Sequence, residues 1–211
     1  MLGWRINFAC LLFILAAMPG AAVADYSGTS HTSLFMRVYG HSNPPMGFVR
    51  FCELNPRECQ ARPVQNQRLD LTPTLWNDLE QVNLLVNKTV VPVSDQDLYG
   101  RSEYWTFPYT SGDCEDYVLL KRRLLIRRGW PLSALLITVV RDERGGGHAV
   151  LIARTSKGDF LLDNKRDEVV AWYKVPYRYL KRQSYRDPKR WMSLVPKRKN
   201  AVLSQAGNLP R

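Results

Sequence analysis

The chain has 211 residues, of which 45% are apolar, and a formal net charge of +11. This length fits one domain with a substantial core. After residue 24 no stretch is long and apolar enough to span a bilayer as a helix. The net positive charge is compatible with binding to nucleic acid, to an anionic membrane surface or to an acidic protein, so charge alone leaves three partner classes open.

Residues 1–24 have the pattern of a cleavable signal peptide. Arg5 provides the charged flank, the segment 8–18 is apolar, and Ala22-Val23-Ala24 precedes the cleavage point. The apolar segment is short for a membrane span and no stop-transfer pattern follows it, although an uncleaved anchor is the alternative. We predict export to the periplasm, which leaves 187 of the 211 residues and argues against nucleic acid as a partner.

Three cysteines remain after the leader. Cys52 and Cys59 flank a segment that contains proline, and in an oxidising compartment this spacing predicts a local disulfide. A metal pair is the rival interpretation, but no second Cys or His pair accompanies it. Cys114 is then unpaired, and an unpaired thiol in an exported protein is a liability unless its reactivity is used.

The sequence predicts a first helix that begins at Thr72-Pro73 and ends near Asn87-Lys88. Threonine is a favourable N-cap, and the fixed φ of proline suits the first helical position. The segment 90–110 contains prolines, a glycine and several aromatics, and we interpret it as a loop near the functional site. Within it, Tyr104-Trp105 could wall a cleft, supply a backbone donor or cap the core. The earlier segment 25–50 is irregular, with a short strand or a helix start at Gly47–Phe51.

The second helix is predicted from about Glu115 to Arg128, with its basic side chains on the polar face and Gly129 ending it. The period then changes to two. We predict antiparallel strands joined by short turns, with further strands at 169–172 and 190–194. The three strands of the meander are 132–141, 148–155 and the one beginning at 160.

Cys114, His148 and Asp163 form a candidate catalytic triad. A thiol needs a base to become a nucleophile, and the base needs a third group to orient it. His148 opens one strand and Asp163 closes the next, so antiparallel pairing places both at one sheet edge. After Cys114 the sequence contains no other histidine. The alternative is a buried structural cysteine with a turn histidine.

Four sequence motifs surround the candidate triad. They are Tyr104-Trp105, Gly112-Asp113-Cys114-Glu115-Asp116-Tyr117, Gly147-His148-Ala149-Val150-Leu151 and Leu162-Asp163-Asn164. Together they resemble a known family, the bacterial transglutaminase-like cysteine proteinases. The resemblance covers about residues 70–195, and the motif set is specific, whereas any one motif would be weak. It implies an α+β, papain/transglutaminase-like fold in which a central helix bearing Cys114 packs on an antiparallel sheet bearing His148 and Asp163.

The resemblance also implies a cofactor and partners. Members bind calcium through carboxylates that flank the nucleophile, which correspond here to Asp113 and Glu115, with Asp116 as a further candidate. Otherwise Asp113 caps the helix and Glu115 favours its first turn. Known substrates include large surface adhesins, and an inner-membrane receptor that responds to cyclic-di-GMP holds one member. No nucleic acid partner is expected.

We therefore expect an exported cysteine endopeptidase. The alternatives are a transglutaminase-type acyl transferase and a non-catalytic periplasmic binding module on the same fold. The expected organisation is a signal peptide (1–24), an N-terminal extension with the Cys52–Cys59 disulfide (25–70), the proteinase domain (71–195) and a basic flexible tail (196–211).

Overall fold

The computed structural model describes residues 33–62 and 68–196, all of which belong to one compact unit. The predicted signal peptide, His31 and nearly all of the predicted tail lie outside the described residues, and the proposed division of the chain at residue 70 stays a prediction. None of the described helices is long and apolar enough to cross a membrane.

Residues 33–62 and 68–196 contain four α-helices, and all of them precede the long strands of the main sheet. They are α1 (Met46–Leu54), α2 (Pro73–Thr89), α3 (Asp95–Tyr99) and α4 (Cys114–Arg127), with short 3₁₀ turns at Pro56–Cys59, Leu132–Ala134 and Trp172–Lys174. The Thr72 hydroxyl accepts a hydrogen bond from the Leu75 amide, so α2 begins where its cap predicts. Gly129 follows α4 with a φ of 93°, a left-handed conformation that suits glycine.

The main sheet has seven antiparallel strands in the order β1-β9-β8-β4-β5-β6-β7. A separate parallel pair joins β2 to β3. The strands are β1 (His41–Ser42), β2 (Val91–Pro92), β3 (Ser111–Gly112), β4 (Leu135–Arg141), β5 (Gly147–Thr155), β6 (Gly158–Asp163), β7 (Arg166–Ala171), β8 (Arg178–Gln183) and β9 (Trp191–Ser193).

Both faces of β5 are buried, because alternate residues join different cores. Leu151 packs in the core that includes residues of α2 and α4, whereas Val150 and Ile152 belong to the core on the opposite face. Helix α4 packs on the first face of β5 and contacts α2. The expected arrangement of a cysteine-bearing helix on an antiparallel sheet is therefore confirmed.

Of the two alternatives for Gly47–Phe51, a short strand or a helix start, the helix is present, within α1. Other sequence predictions need correction. The segment 90–110 is not one loop, because it contains β2 and the short helix α3. The strand predicted from Leu132 begins at Leu135, after a 3₁₀ turn. Sequence reasoning also missed β8, which lies inside the sheet between β9 and β4.

The Cys52–Cys59 disulfide is present, with a Cα–Cα distance of 5.6 Å. It ties the end of α1 to the following 3₁₀ turn, and both cysteines are buried in the main core. Cys114 is the free cysteine of the described residues.

Reduction of this disulfide is expected to lower the free energy of unfolding by about 2 kcal/mol, because the closed loop is short. The measurement is urea denaturation with and without a phosphine reductant. The Cys52→Ala/Cys59→Ala variant is the control, because reductant should not change its midpoint. If fully reduced wild-type protein, verified by thiol titration, unfolds at an unchanged midpoint, the disulfide does not stabilise the fold.

Candidate active site

Cys114 is the first residue of α4. The Asp113 carbonyl accepts hydrogen bonds from the amides of Asp116 and Tyr117, which begins the helix. The Asp113 side chain makes no capping bond, so the interpretation of this residue as a simple side-chain cap is wrong. A thiol at this position lies beside the unpaired amides and the positive end of the helix dipole.

His148 and Asp163 form a buried pair on neighbouring strands. His148 is the second residue of β5 and Asp163 is the last of β6, and antiparallel pairing brings these ends together. The His148 Nε2 atom lies 2.8 Å from Asp163 Oδ1. The Tyr177 hydroxyl donates to Asp163 Oδ2 at 2.7 Å and the Lys165 amide to Oδ1 at 3.1 Å.

These donors keep the Asp163 carboxylate ionised. Burial alone would raise its pKa, but the hydrogen bond and charge of His148, together with the bonds from Tyr177 and Lys165, lower the pKa of Asp163 to about 2. One imidazole nitrogen of His148 is thereby fixed against a carboxylate, which leaves Nδ1 for a second partner.

Cys114 and His148 line the same cavity, which has a volume of about 210 Å³. The Ala149 amide, next to His148, donates a hydrogen bond to Cys114 Sγ. The same sulfur lies 3.0 Å from Glu115 Oε2. The structure thus brings the predicted cysteine and histidine to one cavity and joins the histidine to the predicted aspartate.

Trp105 forms part of the wall of this cavity and is buried. Its ring packs edge-on against Phe48, with 5.6 Å between ring centroids. Trp105 therefore fits two of the three interpretations of Tyr104-Trp105, because it walls the cavity and also belongs to the main core. The Tyr104 amide donates to the Asp95 carboxylate, so this amide is occupied.

A cluster of three carboxylates lies next to the cysteine. One oxygen from each of Asp95, Asp113 and Asp116 lies within 4.8 Å of the other two. Asp113 Oδ2 accepts from the Asp95 amide at 3.2 Å, and Asp116 Oδ1 accepts from the Thr106 amide at 2.9 Å. Each aspartate has a second, buried oxygen for which the described part of the chain provides no hydrogen-bond donor: Asp95 Oδ1, Asp113 Oδ1 and Asp116 Oδ2.

Mutual repulsion and burial disfavour ionisation of these acids and of the thiol. Burial, with the charges of Asp113 and Asp95, raises the pKa of Asp116 to about 7. Burial and the Asp113 charge likewise raise the pKa of Glu115 to about 9. Burial and the Glu115 carboxylate hold the pKa of Cys114 well above its ordinary value. Burial makes the largest contribution to all three shifts, and the neighbouring carboxylates add to it.

The aspartate cluster fits a calcium ion. Calcium prefers hard oxygen ligands, and three unpartnered buried carboxylate oxygens are costly without a cation. The predicted pair, Asp113 and Glu115, also lies together, but its group includes the softer Cys114 sulfur. The structure adds Asp95, which sequence reasoning assigned to a loop without a role.

A family model decides the assignment. The model for the bacterial transglutaminase-like cysteine proteinases (BTLCP) matches residues 38–199. This chain belongs to that family. The resemblance found in the sequence motifs is therefore confirmed.

Solved structures of LapG from Legionella pneumophila are similar to this proteinase. A calcium-bound LapG is 20% identical, with 75% of this chain and 84% of that chain covered and a TM-score of 0.49. Two others, one of them EGTA-treated, are each 21% identical over 64% of this chain, cover 73% and 71% of their own chains, and have TM-scores of 0.46. At this identity the likeness concerns the fold alone. No curated protein sequence matches the chain.

Two basic residues of the helix α4 are buried in this proteinase, although sequence periodicity placed them on the polar face. Lys121 is 0% exposed and Arg122 is 3% exposed. The Lys121 amine has no hydrogen-bond partner among the described residues. It lies 5.8 Å from the Tyr117 ring centroid. Amphipathic spacing assumes one solvated face, but α4 is a central helix and contacts β5, β6 and α2.

The Lys121→Met variant is expected to be more stable than wild type at pH 7, with an advantage that shrinks as pH rises. Burial lowers the pKa of Lys121 to about 7, although Asp163 and Asp167 oppose this shift. Between about pH 7 and pH 10 the Lys121 amine is therefore more fully protonated in the unfolded chain than in the folded protein. The free energy of unfolding of the wild type consequently rises with pH, by up to about 1.4 kcal/mol per pH unit. Urea denaturation across this range measures the difference.

Exposed Lys157→Met is the control, because it removes a lysine without removing a buried charge. Its stability is expected to follow that of the wild type at every pH. A difference between Lys121→Met and wild type that does not depend on pH would contradict the prediction.

Proposed function

We propose that this proteinase is an exported cysteine endopeptidase with Cys114 as nucleophile, His148 as general base and Asp163 as the residue that orients His148. The observation that carries the proposal is the single cavity lined by Cys114 and His148, backed by the buried 2.8 Å contact between His148 and Asp163. A nucleophile, a base and an orienting carboxylate in this relation are the requirements for acyl transfer to a thiol.

In the proposed reaction, the Cys114 thiol transfers its proton to His148 Nδ1, and the sulfur attacks the carbonyl carbon of the scissile peptide bond. The carbonyl oxygen becomes an oxyanion, and the backbone amide of Cys114, at the start of α4, is a candidate donor to it. His148 returns its proton to the departing amine, which leaves a thioester. His148 then removes a proton from water, and the oxygen of that water attacks the thioester carbonyl carbon. The C–S bond breaks, the product leaves as a carboxylic acid, and His148 returns its proton to the Cys114 sulfur.

We also propose that calcium occupies the acidic cluster. The residues that would hold it are Asp95, Asp113 and Asp116, with Glu115 next to them. When bound, the cation supplies positive charge that offsets the carboxylates near the thiol. The unpartnered oxygens of the three aspartates support this assignment.

The natural substrate is proposed to be a periplasmic or cell-surface protein such as a large adhesin. An inner-membrane receptor that responds to cyclic-di-GMP is the proposed regulatory partner. Both proposals follow from the family resemblance, together with the signal-peptide pattern of residues 1–24. The cavity volume of about 210 Å³ suits a few side chains of an extended segment rather than a folded domain.

A partition experiment tests hydrolysis against acyl transfer. The protein is incubated with surface proteins from its own cells in calcium buffer, with and without a fluorescent primary amine. We expect new protein termini, identified by terminal sequencing, and no amine on glutamine side chains. Amine attached to glutamine side chains, with release of ammonia and without new termini, would replace the endopeptidase with a transglutaminase-type enzyme. If neither product forms and iodoacetamide does not alkylate Cys114 in the folded protein with calcium, the non-catalytic binding module becomes the better interpretation.

A further inference from the structure

A second cavity lies at the opposite end of α4 from Cys114, roughly 20 Å along the helix axis. Its volume is about 290 Å³. The wall is formed by the last turns of α4, the segment that leads into β4 and the loop after β8, together with Arg62. None of its lining residues belongs to the proposed active site.

Among the described residues, three guanidinium groups line this cavity, from Arg62, Arg122 and Arg186, and no described carboxylate does. Such a one-sided set of charges is unusual in a recess, because charges removed from water are normally paired. The hydroxyl groups of Ser133 and Ser184 add further polar groups to the wall.

Arg122 is the decisive residue. It is 3% exposed, it makes no hydrogen bond or ion pair with any described residue, and its Nε–H group is buried without an acceptor. The carboxylate that acts on it is that of Glu58, which is already paired with Arg123 at 2.7 Å. Burial, reinforced by Arg62, lowers the pKa of Arg122 to about 10, so the side chain is still a cation at neutral pH. The described residues therefore supply no anionic partner for this buried cation.

Trp130 provides an independent sign of a missing acceptor. Its indole Nε1–H group is buried without an acceptor among the residues that the structure describes, and the residue lines the same cavity. The carbonyl groups at the end of α4 do not fill this need, because Leu125 and Ile126 accept from the backbone amides of Trp130 and Gly129. Two buried donors of different chemistry therefore border one recess.

The surroundings favour an anion further. An adjacent cavity of about 550 Å³ shares the Gln183–Arg186 segment and adds Arg68, Arg154, Arg182 and Arg190 to its wall, together with Asp187. Arg68 and Arg182 share the buried Asp159 carboxylate, whereas Arg154 stacks on the Tyr185 ring at 4.3 Å and forms no ion pair with a described carboxylate. The arginines still outnumber the carboxylates here, and an excess of positive charge beside the smaller cavity concentrates anions.

We propose that the cavity bordered by Arg62, Arg122, Trp130 and Arg186 binds an oxyanion of the phosphate type. A phosphate presents four oxygens, which matches several convergent donors better than the two oxygens of a carboxylate. Binding would pair the buried Arg122 guanidinium and provide an acceptor for the Trp130 indole. The site is separate from the proposed catalytic centre, and its ligand could be free phosphate or the phosphate of an anionic lipid headgroup.

Isothermal titration of the full-length protein with inorganic phosphate, at ionic strength held constant with sodium chloride, tests the proposal. We expect saturable binding with one site and a rise in the unfolding temperature beyond that given by chloride. The Arg62→Gln/Arg186→Gln variant should bind phosphate at least about tenfold more weakly. The matched control, Arg127→Gln/Arg144→Gln, removes two exposed arginines that do not line the cavity and should bind as wild type does.

Arg122→Met provides a second measurement. It should abolish the phosphate-dependent rise in unfolding temperature and should raise that temperature in phosphate-free buffer, since it removes an unpaired buried charge. If this variant does not fold, the phosphate affinity of the Arg62→Gln/Arg186→Gln variant, called the rim variant below, decides the question. No phosphate effect beyond that of chloride, or equal phosphate affinity in the rim and control variants, would overturn the proposal.

Sedimentation with phosphatidylglycerol and with phosphatidylcholine vesicles separates the two sources of the ligand. Binding to the anionic vesicles that phosphate competes away, and that the rim variant loses, identifies a lipid headgroup. Phosphate binding without vesicle binding identifies the free anion.

Discussion

The Cys114→Ala variant is expected to cleave peptide bonds roughly 10⁴-fold or more slowly than wild type while its fold stays intact. Alanine cannot form the thioester, and no other thiol of the described residues is free. The methyl group fits the space of the half-buried thiol, so the unfolding midpoint should change little. The measurements are initial cleavage rates on a protein substrate and circular dichroism melts of both proteins.

Ser111→Ala is the matched control, because it removes a small polar side chain three residues earlier, in β3. It should keep wild-type activity within a few-fold. Proteolysis that survives in Cys114→Ala, at a rate near that of wild type, would remove Cys114 as the nucleophile. Equal losses in both variants would mean that the segment, rather than the thiol, had been perturbed.

Removal of calcium is expected to have the next largest effect. In the proposed site the three aspartates have unpartnered buried oxygens, so the folded state should bind calcium and the unfolded chain should not. Calcium at a hundredfold excess over its dissociation constant then stabilises the fold by about 3 kcal/mol. We expect EGTA to lower both the unfolding temperature and the cleavage rate, and added calcium to restore both.

Asp95→Asn and Asp97→Asn form a matched pair for this experiment, because both residues lie in α3. Asp95 is buried in the acidic cluster, whereas Asp97 is exposed and bonds the Ser94 hydroxyl at 2.6 Å. Calcium affinity, followed by the calcium-dependent melting shift, should fall at least about tenfold in Asp95→Asn and little in Asp97→Asn. Unfolding and cleavage that EGTA does not change would contradict the calcium proposal.

Local signals were sufficient to predict α2, α4 and the meander of β4, β5 and β6. A threonine cap, a terminal glycine and the change of period from 3.6 to two each act over a few residues. The short turns force antiparallel pairing, and that pairing alone brings His148 to Asp163. The contact between His148 and Asp163 was predictable because the two residues lie on strands that are consecutive in the chain and paired in the sheet.

Features that depend on long-range packing were not predictable. Asp95 joins Asp113 although 18 residues separate them, and no spacing rule links the two. The strand β8 contains three charged residues without a clear alternation. Its stability comes from distant partners, since Arg182 lies 3.3 Å from buried Asp159 and Gln183 accepts from the Ile137 amide. The burial of Lys121 and Arg122 was missed because the amphipathic pattern used for the prediction assumes a surface helix with one solvated face, whereas α4 is a central helix.

The strand order of the main sheet has a consequence for biosynthesis. Strand β4 pairs with β5 on one side and with β8 on the other, and β9 then joins β8 to β1. A nascent chain that has reached the end of β7 has all three proposed triad residues but leaves β4 as an open, apolar edge. Such an edge invites pairing with other chains. Full assembly waits for residues 178–193, and these late, distant pairings favour slow folding after the whole domain has emerged.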